Sequence, residues 1–141
     1  MLKIRPAKKG DRRAAINILK EHDIYYSALA FKDFWVAQED GEIVGCAQLE
    51  EFPGFFYLGS VGTLSSRTGK GIARALLGAV LKGLKKDTYL YTTIPGFFKK
   101  FGFEITTPMA GLPSKECYEC EDCHSDRCVC MVRRANDTPL P

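Results

Sequence analysis

Two stretches of this chain combine residue types and spacings that suit chemistry. In the first, an apolar run ending in Val61-Gly62-Thr63 leads through Ser65-Ser66-Arg67 into Thr68-Gly69-Lys70-Gly71-Ile72-Ala73-Arg74. Ile72, Leu76, Val80 and Leu84 then recur every four residues, the mark of a helix packed on a sheet. The glycines therefore stand at a helix N-terminus, where unpartnered N–H groups and the positive end of the macrodipole suit a phosphate or pyrophosphate. The Gly-Lys-Ser/Thr ending of a nucleotide-binding P-loop is absent, and Arg74 stands where a dinucleotide fingerprint needs its third glycine. An ordinary strand-to-helix turn has the same look, so the loop alone does not decide.

The second stretch is Cys117-x-x-Cys120-x-x-Cys123-His124, followed by Cys128-x-Cys130. Five clustered cysteines cannot pair fully among themselves, and in a reducing compartment such crowding favours metal over disulfides. The expected ligand set is Cys120, Cys123, Cys128 and Cys130, with Cys117 or His124 as substitutes. Four thiolates leave no open coordination position, so the expected ion is a structural zinc. An iron–sulfur cluster is the second option. The segment from Met109 onward reads as poor in large apolar residues, and a structural zinc, worth about 10–16 kcal/mol, is enough to order it.

These stretches need a scaffold. With 141 residues and 45% hydrophobic content the chain can bury one core, expected in the first three quarters. The net charge is only +3, and the basic pairs Lys8-Lys9, Arg12-Arg13 and Lys99-Lys100 read as solvated faces, so nucleic acid is not implied. No run approaches the roughly 18 apolar residues of a membrane span, and Met1 to Arg5 lacks a signal-peptide core, which points to the cytoplasm.

Leu2 to Arg5 alternates as a strand, Asp11 suits a helix N-cap, and Ala15, Ile18 and Leu19 give that helix an apolar face. Ile24 to Phe31 reads as a second helix or as a loop covering a site. Phe34 to Gln38 and Glu42 to Leu49 flank Asp40-Gly41, a strong hairpin signal, and Phe55 to Thr63 is the next strand. Beyond the long helix come a strand from Asp87 to Thr92, a short helix opened by Pro95 and a last strand from Phe103 to Thr107. His22 reads as a surface histidine at a helix end, and Cys46 as core.

This order of elements resembles the GNAT superfamily of acetyl-CoA-dependent N-acetyltransferases, and three motifs agree with it. Asp40-Gly41-Glu42-Ile43-Val44-Gly45 is similar to that family's hairpin, Thr68 to Leu77 to its pyrophosphate loop, and Phe97-Phe98-Lys99-Lys100-Phe101-Gly102-Phe103 to its terminal motif. Phe34 to Gly41, together with Leu90-Tyr91-Thr92-Thr93, looks most like short amino-acid N-acetyltransferases of the N-acetylglutamate synthase type. In two places the chain departs from the pattern. Thr68 stands where an arginine or glutamine usually opens the loop, and Phe98 where many members place a tyrosine near the coenzyme sulfur.

The resemblance implies an α/β fold of the α+β kind: a central mixed, mostly antiparallel sheet flanked by helices. A small Cys-rich metal-binding appendage would follow it. The expected units are residues 1–108 as the acetyltransferase domain, 109–135 as the appendage and 136–141 as a mobile C-terminus. It further implies acetyl-CoA as cosubstrate, held by Val61, Gly62, Thr63, Thr68, Gly69, Lys70, Gly71, Ile72, Ala73 and Arg74. Acetyl would pass to a primary amine, such as the α-amine of glutamate, with no nucleic-acid or membrane partner and with a homodimer allowed. Glu50 and Glu51 are candidates for the base and Tyr91 for a proton donor to the leaving thiolate. The alternatives are a protein N-terminal or lysine acetyltransferase and a non-catalytic acyl-CoA-binding or zinc-mediated interaction module.

Overall fold

The computed structural model describes residues 1–22, 24–25, 29–108, 112 and 128–135. Strands β1 (Leu2–Pro6), β2 (Phe34–Glu39), β3 (Glu42–Phe52), β4 (Phe55–Thr63), β5 (Asp87–Thr92), β6 (Glu104–Thr106) and β7 (Val129–Arg133) form one sheet. Helices α1 (Arg12–Glu21), α2 (Ile72–Leu81) and α3 (Pro95–Lys99) connect them. The sheet order is β1-β2-β3-β4-β5-β7-β6, with β4 and β5 parallel and every other pair antiparallel.

Period-two alternation divides the side chains between two layers. On one face Ala15, Ile18 and Leu19 of α1 pack on Phe34, Val36 and Cys46. On the other, Leu76, Leu77, Val80 and Leu81 of α2 join Phe98, Phe101 and Phe103 over Leu58, Leu90 and Met131. The β2–β3 turn forms as its Asp-Gly pair predicts, with Asp40 at φ 49° and Gly41 at φ 83°. Asp11 does not cap α1 with its side chain. It accepts the Lys8 backbone N–H at 2.7 Å and a bidentate pair from Arg5 at 2.8 and 3.2 Å, and that guanidinium holds its carboxyl below the usual range.

Residues 129–133 require a correction. The cysteine spacing places them in a separate Cys-rich appendage, with the core upstream. Instead β7 inserts between β5 and β6, and Met131 and Val132 are fully buried. The physical reason is the unbroken apolar run Val129-Cys130-Met131-Val132, the pattern of a strand covered on both faces, which the cysteine spacing obscured. Consequently β6 is not beside β5 but forms the edge, paired to β7.

Gly45 explains why the hairpin motif sits next to the helix. A Cβ there would lie 3.0 Å from Ile72 Cγ2 and 3.4 Å from the Gly62 carbonyl, so glycine lets the first turn of α2 close onto β3. Gly45→Val is expected to cost about 1–3 kcal/mol by overpacking, read as a lower denaturation midpoint. A midpoint equal to the parent's would show that α2 does not depend on this approach.

Candidate active site

The site is built where β4 leaves its neighbour. Parallel pairing between β4 and β5 covers Phe55 to Tyr57 against Asp87 to Tyr89, and it stops there although both strands continue. The cause lies on the other side of β4. Against β3, Cys46 pairs with Gly62 and Gln48 with Gly59, so Ser60 and Val61 together oppose Ala47, and Ser60 takes φ 51°. Such a bulge bends its strand, and a non-glycine residue held at positive φ marks stored strain of the kind found at functional sites.

Between the parted strands lies a cavity of about 650 Å³. Its lining comes from both layers: Ile72, Leu90, Phe97 and Phe98 on the α2 side, and His22, Gln48, Glu50, Tyr57 and Tyr91 on the α1 side. The glycine loop closes one end. Three contacts hold that loop. Glu21 Oε1 accepts the Ser65 N–H at 3.1 Å, His22 Nε2 donates to the Thr63 carbonyl, and Arg67 forks to Glu39 and Glu42. Arg67 is therefore an anchor of the loop on the β2–β3 hairpin. Gly69 and Gly71 have φ of 84° and 78°, and a Cβ on either would meet nothing within 4 Å. Their conformation requires glycine, and the space beside them is open.

Of the residues predicted to hold the coenzyme, Val61, Gly62, Thr63, Thr68, Gly69, Gly71, Ile72, Ala73 and Arg74 line this cavity, while exposed Lys70 does not. The two glutamates separate by strand alternation. Glu50 lies on the α1 side opposite Tyr57 and lines the cavity. Glu51 points the other way, to Lys86 Nζ at 2.7 Å, so it is not placed for catalysis. Burial pushes the Glu50 carboxyl above its ordinary range, with nearby Lys32 opposing the shift and Asp33 adding to it. A half-buried carboxylate of raised basicity on the cavity wall is a stronger proton acceptor than a solvated one.

Tyr91 also lines the cavity, its ring 6.1 Å from that of Tyr57. Phe98 is both wall and core, 7% exposed and edge-on to Phe97 and Phe103. Cys46 is inert: burial pushes its thiol up to about 12. Gln48 escaped the sequence reading. Its Nε2 donates to the Ala30 and Lys32 carbonyls at 3.1 and 2.9 Å, fixing the loop before β2 at the α1-side rim. The available signal was a lone amide in an apolar strand, two residues before Glu50. His22, read as a surface residue, reaches the site because α1 ends against β4. The Ile24 to Phe31 stretch forms no helix in its described part, and Ile24 lines the cavity.

The expected metal set is divided. Cys117, Cys120, Cys123 and His124 lie outside the described residues. Cys128 lines the cavity, and Cys130 is buried in β7 with Phe55, Tyr89 and Val132. Among the described residues no three ligating side chains converge.

Residues 30–105 match the family model described as the acetyltransferase (GNAT) domain. No curated protein sequence matches the chain. Among solved structures, N-acetylglutamate synthase from Neisseria gonorrhoeae, complexed with coenzyme A and L-arginine, superposes with a TM-score of 0.75 at 18% identity, over 96% of this chain and 34% of that one. The chain thus spans about a third of that enzyme's length. Rv2747 from Mycobacterium tuberculosis, in complex with CoA, gives 0.72 at 18% identity, over 94% of this chain and 98% of its own. The ribosomal-protein-S18-alanine N-acetyltransferase from Escherichia coli gives 0.68 at 14% identity, over 98% and 96%.

Proposed function

The chain belongs to the GNAT family of acetyl-CoA-dependent N-acetyltransferases, and from that premise we propose how its own residues divide the work. Acetyl passes from acetyl-CoA to a primary amine by direct attack on the thioester. Residues Thr68 to Arg74, Lys70 excepted, receive the pyrophosphate at the start of α2, where backbone N–H groups and the helix dipole favour anionic oxygens. The bulged part of β4, Val61 to Thr63, lies along the acetyl-pantetheine arm, and donors aimed at the developing oxyanion can each contribute about 3 kcal/mol. Glu50 takes the ammonium proton, the neutral amine attacks the carbonyl carbon, the C–S bond breaks, and the nitrogen gives up a second proton that balances the one the thiolate gains. The observation that carries this reading is the parting of β4 from β5 into one cavity with the glycine loop at one end and Glu50 at the α1 side.

The leaving thiolate does not depend on a tyrosine at position 98. A thiol pKa of about 8.5 makes it a fair leaving group at neutral pH, and the Tyr91 hydroxyl or water returns its proton. Turnover is therefore expected despite Phe98. Coenzyme release measured against an amine panel from pH 6 to 10 tests this. Binding of acetyl-CoA with no release for any amine would transfer the reading to a non-catalytic acyl-CoA module.

For the acceptor we propose the α-amine of an amino acid such as glutamate, on the likeness to N-acetylglutamate synthase. The similarity to an enzyme named for an alanine of a ribosomal protein supports the second reading, a protein acceptor, so the panel includes a short alanine-initiated peptide. Preference for the peptide would overturn the amino-acid assignment.

We also propose that the cysteine segment holds structural zinc in a cytoplasmic, reducing setting, with Cys120 and Cys123 as its centre. The burial of Cys130 in β7 makes Cys117 or His124 the better fourth ligand. Elemental analysis of protein purified reduced, without chelator, should find close to one equivalent. Less than about a tenth of an equivalent of zinc or iron refutes the site, and a brown chromophore moves it to iron–sulfur.

A further inference from the structure

A second cavity, of about 640 Å³, lies on the N-terminal side of α1. It shares no lining residue with the acetyl-transfer cavity. Lys8, Lys9, Arg12 and Lys32 line it together with Pro6, Ala7, Phe31 and Phe34, and Asp33 is the one carboxylate among the described lining residues. The local excess of positive charge equals the +3 of the whole chain, so elsewhere the charges balance and here they do not.

Among the described residues two further acids act on it only at longer range, Glu50 on Lys32 and Asp11 on Lys8. Asp11, the adjacent acid, is taken by the Arg5 guanidinium and the Lys8 backbone N–H. Among the described residues none of the four lining cations lies within ion-pair distance of a carboxylate. The wall is structured: Phe31 stacks on buried Phe34 with centroids 4.8 Å apart, and Asp33 is held at φ 58° by the fold around it. Like charges gathered at one concave surface repel until an anion is present, and concavity with low-dielectric walls strengthens the field on that anion. The volume is that of a small-molecule site, not of a macromolecular groove.

We propose that this cavity binds a small organic or inorganic anion carrying at least two negative charges, a phosphate or polycarboxylate compound distinct from both reactants. The site is not isolated from the chemistry. Lys32 and Ala30 present their carbonyls to Gln48, which lines the first cavity, while Phe31, Lys32 and Asp33 line the second. An occupant that steadies this loop thereby steadies the α1-side rim.

The test uses the full chain saturated with acetyl-CoA, so that the glycine loop cannot take up the probe. Inorganic pyrophosphate and citrate are titrated separately, one arm for phosphate chemistry and one for carboxylate. At least one should bind saturably with 1:1 stoichiometry and shift backbone resonances in residues 8–12 and 31–34. Lys9→Glu combined with Arg12→Glu, both exposed positions outside the acetyl-transfer cavity, should weaken that binding by at least about tenfold and leave acetyl-CoA affinity and thermal midpoint unchanged. Failure of both probes to saturate at low millimolar concentration, or binding that survives the double reversal, overturns the proposal. Acetyl-CoA affinity, measured in the same samples, reports separately on the coenzyme assignment.

Discussion

Glu50→Gln is expected to lower kcat about 100-fold, the low end of general-base effects, while leaving acetyl-CoA affinity unchanged and raising thermal stability at neutral pH. The pairing of lost activity with gained stability follows from the side chain's surroundings. Burial raises the Glu50 carboxyl above its unfolded value, with Lys32 opposing the shift and Asp33 adding to it. A carboxyl raised in the folded state binds more protons there than in the unfolded chain. Its contribution to stability is thus present below the unfolded value and is lost as pH climbs through the folded one. Above that folded value the ionised form is a burden that the amide removes. Activity runs the opposite way, because only the ionised form accepts the ammonium proton, so kcat should rise through the raised value. Lys32→Met removes the opposing cation and should move that acid limb to higher pH. A Glu50→Gln enzyme within threefold of the parent, or one no more stable than it, would assign the proton to another group.

How much of this was legible in the sequence depended on the range of each signal. The Asp40-Gly41 turn, the Gly69 to Arg74 loop and the four-residue periodicity of α2 are local, and each forms where its residues place it, except that α2 ends at Leu81, before the last periodic residue, Leu84. Glu50 and Glu51 could not be separated, because a one-residue slip in strand register exchanges the two faces. What fixes their faces is the pairing of Glu50 with Tyr57 and Glu51 with Phe56. The Ser60 bulge, which parts β4 from β5, has no local signature beyond its glycine neighbours. The largest miss was β7. Its four apolar residues meet β5 some forty positions upstream, a pairing set by tertiary packing, and the dense cysteines before it drew the reading toward metal. Arg67 shows the same limit. Its place near the loop is evident, but its partners Glu39 and Glu42 come from the hairpin 28 and 25 positions away.

The coenzyme assignment predicts that Ala73→Asp weakens acetyl-CoA binding about 10- to 100-fold without destabilising the fold. Substituting the loop glycines would not separate these effects. Gly71 is the N-cap of α2 in a left-handed conformation, so any larger residue strains the backbone and can lose binding through misfolding alone. Ala73 is two positions further on, partly exposed, on the cavity wall and with ordinary helical geometry. A carboxylate in the first turn of a helix is favourable to the helix itself by about 0.3–1 kcal/mol. Toward a bound pyrophosphate it acts in the opposite sense, since it occupies the field of the same N–H groups and sets like charge against like. At roughly 6 Å and an effective dielectric near 20 that repulsion is about 2–3 kcal/mol per pair of charges, before screening by salt reduces it. Calorimetry against acetyl-CoA and against a desulfo or dephosphorylated analogue, alongside thermal melts, distinguishes the outcomes. Equal affinity for acetyl-CoA in a variant at least as stable as the parent would place the pyrophosphate elsewhere. Ala73→Asn, neutral and of matching shape, should retain most of the affinity, and the loss should shrink as ionic strength rises, because the effect is one of charge.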